Sequence, residues 1–280
     1  MADAAFIEAF DDAVEGGLDW LDDHGGGVFD AIRHALAGVY DGVEWLLLAP
    51  PFWAVAALAL VAGWRVVGWR FGGLAALGLG LCAAMGLWAE TMETLALVVT
   101  AMVFALLVSL PLGVLAGYVP AVKRAAEPAL DLIQTLPPYL YLLPAIALLG
   151  YGPATALAAT CIVALPPALR LTALGIGRTP QEFIELGQAN GIRPWQMFAK
   201  IRLPFAFASI MAGVNQSLMM AFGMVVIAGI VGSGGLGETI YGAIRTLDIA
   251  TSVDASVAIV VLTIVLDRLT QGLADRGARA

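Results

Sequence analysis

The apolar positions of this chain gather into long unbroken runs rather than alternating with polar ones. Seven stand out, at about 45–64, 71–88, 94–118, 136–150, 153–173, 205–231 and 254–271. A helix needs about 20 mostly apolar residues to cross a bilayer, and these runs are of that order. Their continuity argues against a strand-built barrel, whose strands alternate apolar and polar side chains. The fourth run is short and interrupted by Pro137, Pro138 and Pro144. Backbone groups freed by proline at membrane depth must be satisfied by neighbouring helices or a wet cavity.

Ahead of the runs the pattern differs. Phe6, Ile7, Phe10, Val14, Leu18 and Leu21 recur at helical spacing with carboxylates between them, and Val28, Phe29, Ile32, Leu36, Val39 and Tyr40 continue it beyond Gly25-Gly26-Gly27. Two amphipathic helices broken at the glycines are predicted. The segment opens acidic and lacks a basic region followed by an apolar core, so it does not read as a cleavable signal. Interfacial helices usually carry Lys and Arg on the polar face, and here the face is acidic. It reads either as a solvated helix on the protein's own outer surface or as a docking element for an external partner.

Composition agrees with the runs: 60% of the 280 residues are hydrophobic, 13% are charged, and mean hydropathy is +0.88. A soluble domain could not hide that much apolar surface, so the chain is predicted to be an all-α polytopic membrane protein. The net charge of −8 conceals two unlike parts. Residues 1–44 hold 11 acids against Arg33 alone, a net −10, and the remainder carries +2. With the N-terminus outside, 12 of the 13 remaining basic residues fall on the cytoplasmic side, from Arg65 and Arg70 through Arg268, Arg276 and Arg279. Only Arg245 falls outside, as the positive-inside bias expects, giving an N-out, C-in topology. Trp53, Trp64, Trp69 and Trp88 sit near the expected interfaces of the first two spans.

Little catalytic chemistry is on offer. Cys82 and Cys161 lie inside runs and read as small packing residues, and the only histidines, His24 and His34, lie in the acidic tail. No HExxH, Cys/His cluster or nucleophile elbow occurs. Gly232–Gly237, GSGGLG, fits the dinucleotide fingerprint in letters, but it follows a helix-length apolar run rather than a strand, so it reads as a tight external turn. No G-x-x-x-x-G-K-[ST] is present, so this chain is not expected to hold ATP. Gly113-x-x-x-Gly117 would permit close helix approach. Asn215, Gln216 and Ser217, about three turns into the sixth run, must find partners on other helices or in a water-filled path. Met211, Met219, Met220 and Met224 add soft surface there. Tyr139, Tyr141 and Phe222 could offer aromatic faces to a cation, though such residues are more often core.

The segment Glu185–Pro204, ELGQANGIRPWQMFAKIRLP, is polar and basic and lies between apolar runs. Thr179-Pro180 can open a helix, Gly191 supplies a turn, and Arg193-Pro194 starts a second short helix ending before Leu203-Pro204. Its spacing, Glu185-x5-Gly191-x9-Ile201-x-Leu203-Pro204, resembles the "EAA" loop by which permease subunits of bacterial ABC importers grip their ATPases. QTLPPYLYLLPAIALLG (134–150), ALPPALRLTALGI (164–176), MAGVNQSLMMAFGMVVIAGIVGSGGLG (211–237) and Arg245-Thr246-Leu247-Asp248 are similar to one family. It is the permease subunit of the ProU/OpuA-type importers for glycine betaine, proline betaine and choline. One departure is that Leu186 and Gly187 stand where the motif has two alanines.

The resemblance implies about seven transmembrane helices containing a five-helix type I ABC importer core. It divides the chain into an acidic periplasmic tail (1–44), two peripheral helices (45–93) and the core (94–273), with a cytoplasmic coupling loop at 178–204. It implies ATPase coupling through Glu185, Gly191, Ile201, Leu203 and Pro204, with ATP and Mg bound by the partner ATPase and no cofactor in this chain. Other implied partners are a second copy of the permease, a periplasmic or surface substrate-binding protein and membrane lipid, but no nucleic acid. Asn215, Gln216, Met219 and Phe222 are the candidate translocation residues. The rivals are an ion-gradient-driven transporter or channel, which would be expected to show an ionisable residue deep in a span, and a membrane enzyme, which lacks a catalytic constellation.

Overall fold

The computed structural model describes residues 2–277, excluding the side chains of residues 2–7, 10, 11, 14, 15, 18 and 22. Arg279 and the side chains of Phe6, Ile7, Phe10, Val14 and Leu18 therefore lie outside the described residues. Within them the chain is helical, with no strand. Twelve α-helices follow in order: α1 (Ala2–Leu48), α2 (Phe52–Val66), α3 (Trp69–Ala84), α4 (Trp88–Tyr118), α5 (Pro120–Thr135), α6 (Tyr139–Leu149), α7 (Pro153–Gly177), α8 (Gln181–Ala189), α9 (Pro194–Met197), α10 (Leu203–Ala228), α11 (Gly235–Thr246) and α12 (Ile249–Gly277).

The seven apolar runs all fall on these helices, the first of them divided between α1 and α2. Four helices are long and apolar enough to cross a membrane outright: α4, α7, α12 and the continuous stretch Pro194–Val231. Two more runs are bent pairs, α1 with α2 at 93° and α5 with α6 at 101°, and the second run is the 16-residue α3. The α5–α6 bend falls at Pro137-Pro138. The Tyr141 hydroxyl turns back across it to donate to the Ile133 carbonyl, one of those that α5 leaves unpaired at its end.

The glycine triplet does not break α1. The helix runs through Gly25–Gly27, and the Phe29 ring lies across the space beside Gly25, where a Cβ would meet it at 2.8 Å. Packing at i and i+4 offsets part of the roughly 1 kcal/mol that each helical glycine costs. The C-terminal half of α1 lies against α4, α6 and α7, with Tyr40 buried. Trp64 and Trp69 flank the turn of the α2–α3 hairpin, while Trp53 and Trp88 lie at its other end.

The core is built around α7, which packs on α4 along one side and α10 along another. Both contacts bring backbones together. A Cβ on Gly113 would lie 2.7 Å from Thr172 Cβ and 2.8 Å from the Leu169 carbonyl, and one on Gly117 would lie 3.0 Å from the Ala173 carbonyl. Across the other side, a Cβ on Gly175 would lie 3.0 Å from the Ala206 carbonyl, and one on Gly213 would lie 3.1 Å from Ala168 Cα. Close approach of this kind is how helices gain dispersion contact where lipid is as apolar as leucine. Ser217 accepts a hydrogen bond from the Ala168 N–H at 3.1 Å, just beyond Pro166-Pro167.

At the end opposite α8, the GSGGLG turn joins α10 to α11. Gly232, Gly234 and Gly235 have positive φ, and α4 caps α11 in trans: the Gly235 N–H donates to Glu93 at 2.6 Å and the Leu236 N–H to Thr94 Oγ1 at 2.8 Å. A carboxylate at a helix N-terminus also meets the positive end of its dipole. Asp248 starts α12, and hydrogen bonds from the Thr251 hydroxyl and N–H hold its carboxyl below the usual carboxylate range.

Gly113→Leu should force α4 away from α7 and destabilise the bundle by about 1–3 kcal/mol. Gly73→Leu, at a position where a Cβ meets nothing within 4 Å, should leave thermal melting in detergent unchanged. Equal melting of the two variants would contradict the α4–α7 contact.

Candidate functional site

α8 begins at Gln181, directly after Pro180, and its last residues turn through Asn190 and Gly191. Gly191 has φ +66°, where a side chain is disfavoured, and its N–H donates to the Gln188 carbonyl at 2.9 Å. The Arg193 N–H donates to Gln196 Oε1 at 3.0 Å, a capping interaction that starts α9 at Pro194.

The second short helix does not stop before Leu203-Pro204, as the sequence suggested. It passes through a π-helical turn, Phe198–Arg202, straight into α10. Proline lacks an N–H and crowds the carbonyl four residues back. The wider turn, in which the Leu203 N–H reaches the Phe198 carbonyl, lets Pro204 enter without breaking the helix.

Gly187 is the pivot of the elbow. It is buried, and a Cβ there would fall 2.7 Å from Ile192 Cδ1, 2.8 Å from Met197 Cε and 3.0 Å from Ile201 Cδ1. The departure from the alanine pattern thus lies where α8 presses on α9 and the π turn. Glu185, on the outer side of α8, is exposed and accepts a hydrogen bond from Gln181 Nε2 at 3.1 Å. Around it Phe183, Leu186 and Trp195 are exposed, Trp195 by 71%. Ile201 and Leu203 are half-buried and Pro204 is exposed. Glu185 and Gly191 therefore belong to the exposed elbow, and Ile201 and Leu203 to its seat on the bundle.

Sequence reasoning passed over Arg202, the unassigned residue of Ile-x-Leu-Pro. Its guanidinium lies 4.3 Å from the centroid of the Tyr118 ring and donates to the Ile176 carbonyl at 3.4 Å, tying the start of α10 to the ends of α4 and α7. A lone arginine between two apolar residues was the available signal.

The four candidate pathway residues divide into two pairs. Asn215 Oδ1 accepts a hydrogen bond from Thr270 Oγ1 at 2.8 Å, joining α10 to α12, and Phe222 is 4% exposed in the core. Gln216 and Met219 lie on an uncovered face of α10 with Ala208, Ala212, Met220 and Gly223. Steps of three and four residues put these on a single stripe.

A sequence profile of the family described as "Binding-protein-dependent transport system inner membrane component" matches residues 109–278. The chain belongs to that family. It is similar to the glycine betaine/proline betaine transport system permease protein ProW of Escherichia coli (strain K12), at 40% identity over 264 residues, 94% of this chain and 74% of that protein. The glycine betaine transport system permease protein OpuAB of Bacillus subtilis (strain 168) is 37% identical over 262 residues, 94% of this chain and 93% of that one. Among solved structures, the MetNI methionine ABC transporter in an inward-facing conformation shares the fold at a TM-score of 0.56. It is 25% identical and covers 69% of this chain and 94% of that one.

The permease is thus a multi-pass inner membrane component of an ABC transport system, not an enzyme. ATP hydrolysis belongs to a separate ATPase, and a substrate-binding protein completes the system. This reading stands over an ion-gradient-driven carrier or channel.

Gly187→Ala trades about 1 kcal/mol of helix propensity against three movable side-chain ends, so its stability should stay within about 1 kcal/mol of the parent. Gly187→Leu should dislodge α8 from the π turn and expose residues 181–197 to limited proteolysis. Identical cleavage of Gly187→Leu and the parent would refute the packing argument.

Proposed function

We propose that this permease is the translocation subunit of an ATP-driven importer for quaternary ammonium osmoprotectants, namely glycine betaine, proline betaine or choline. The solutes named for ProW and OpuAB support that class. Two copies enclose one pathway in the lipid bilayer, with α1 outside and α8 in the cytoplasm. ATP and Mg reside in the partner ATPase, and a binding protein delivers solute from outside.

One observation carries the coupling reading: an exposed acidic and aromatic elbow is continuous, through the π turn, with the helix that bears the open face. Glu185 can accept charge-assisted hydrogen bonds from the ATPase, while Phe183, Leu186 and Trp195 supply apolar contact. Motion of the elbow then passes into α10 without a flexible joint. The open face of α10 suits the cargo. A quaternary ammonium has no N–H to donate, and Met219, Met220 and the small Ala212 and Gly223 offer soft, uncharged walls with Gln216 as the one polar group. Asn215 and Phe222 act behind this face by fixing α10 against its neighbours.

In proteoliposomes containing permease, ATPase and binding protein, glycine betaine uptake should require ATP. Uptake that persists on an ion gradient after ATP depletion would overturn the reading. Glu185→Lys should abolish co-purification of the ATPase and cut uptake by at least about tenfold, consistent with loss of a charge-assisted contact. Gly223→Trp should block uptake while leaving ATPase co-purification intact. Full uptake by Gly223→Trp would remove this face of α10 from the pathway.

A further inference from the structure

Behind α10, on the side away from Gln216 and Met219, α4 and α10 do not fill the space between them toward the α8 end. They leave an open cavity of about 720 Å3. Val114 and Tyr118 of α4, Thr172 of α7, Phe198 of the π turn, and Leu203 and Ile210 of α10 contribute to its walls. No acidic residue lines it among the described residues. The volume falls within the roughly 300–1,000 Å3 typical of sites for small ligands.

Two polar groups set this groove apart from a bare apolar face. Thr172 is fully buried, and its hydroxyl has no hydrogen-bond partner. Helical threonines often satisfy that hydroxyl on a carbonyl three or four residues back, and a buried orphan is costly. Arg202 lies over the ring of Tyr118, which lines the groove, and its Nε is buried without a partner. Arg202 holds the carbonyl of Ile176, four residues past Thr172, so the two groups are separated by about one helical turn, or 6 Å along the axis. A cation thus lies nearer the end of the bundle, with a hydroxyl about one turn deeper and an apolar channel beside both.

We infer that this groove binds one phospholipid from the leaflet on the α8 side. The phosphate pairs with the Arg202 guanidinium, whose planar fork of donors matches phosphate oxygens. The Thr172 hydroxyl donates to an ester carbonyl, and an acyl chain lies along Val114 and Ile210. Because Phe198 and Leu203 form part of the wall, the bound lipid fixes the spacing between α4 and the π turn. Lipid thereby becomes a structural component of the elbow's seat. The inference requires the membrane assignment of the family and is independent of which solute is carried.

The test uses the full chain with its ATPase in nanodiscs of phosphatidylethanolamine and phosphatidylglycerol, doped with phosphatidylglycerol carrying a photoreactive diazirine on one acyl chain. After illumination, adducts mapped by peptide mass spectrometry should concentrate on residues 110–118 and 198–210. Val114→Trp, which fills the groove, should reduce them to the level found on α3. Arg202→Gln should lower them about fivefold, the worth of one arginine at a charged lipid surface, and Arg202→Lys should retain most of them. Thermal melting checks that each variant folds. If Val114→Trp does not fold, the near-isosteric Thr172→Val must lower labelling with melting unchanged. Labelling spread evenly over α2, α3 and α4, or insensitive to these substitutions, would overturn the inference. So would a disulfide between Val114→Cys residues of two copies, since a protein helix would then occupy the groove.

Discussion

Everything in this molecule rests on how closely α7 is gripped. Two glycines of α4 and one of α10 face it, and α7 presents Gly175 in return, so backbones meet where side chains would normally intervene. In a membrane, where no hydrophobic effect pulls helices together, such contact is the main source of cohesion. Fixing α7 against α10 has a mechanical result, because α8 follows α7 within a few residues and the π turn leads directly into α10. The elbow is thus bracketed at both ends by helices that cannot slide independently.

The same packing decides which surfaces remain open. Around α10, α7 takes one side, α4 another and α12 a third through Asn215 and Thr270. The fourth side runs free for most of the helix. Gly223 on that side is telling. A glycine inside a helix costs about 1 kcal/mol relative to alanine, and no neighbour within the chain requires its lack of a side chain. Its openness marks the uncovered side of α10. Between α4 and α10 the packing opens again, beside the orphaned Thr172 hydroxyl and the Tyr118 ring on which Arg202 lies.

Much of the architecture was legible in the sequence because membrane spans are written in residue type rather than in subtle periodicity. All seven apolar runs fall on real elements, and Gly113-x-x-x-Gly117 lies at a close contact of α4 with α7. Elbow residues were legible because a polar stretch between spans has few structural reasons to exist. The misreadings share one cause, namely that local breaking signals were given more weight than their surroundings. Gly25–Gly27 looked like a hinge but lie inside one long helix, where Phe29 packs over the first of them. Leu203-Pro204 looked like a stop but continues through a widened turn. Neither the division of Asn215 and Phe222 from Gln216 and Met219 nor the place of Arg202 could be read without coordinates, since adjacent positions on a helix differ by about 100° in direction.

That angular sensitivity gives the widened turn at Phe198–Arg202 a further meaning. Such a turn accommodates one residue more than its neighbours, and it sits between the exposed elbow and the whole length of α10. Closing it to an ordinary α turn without changing the number of residues would screw everything above round by about 100°. Gln216 would swing from open space toward a packed neighbour, and Asn215 would lose Thr270. The widened turn therefore sets the angular phase of α10 against its neighbours.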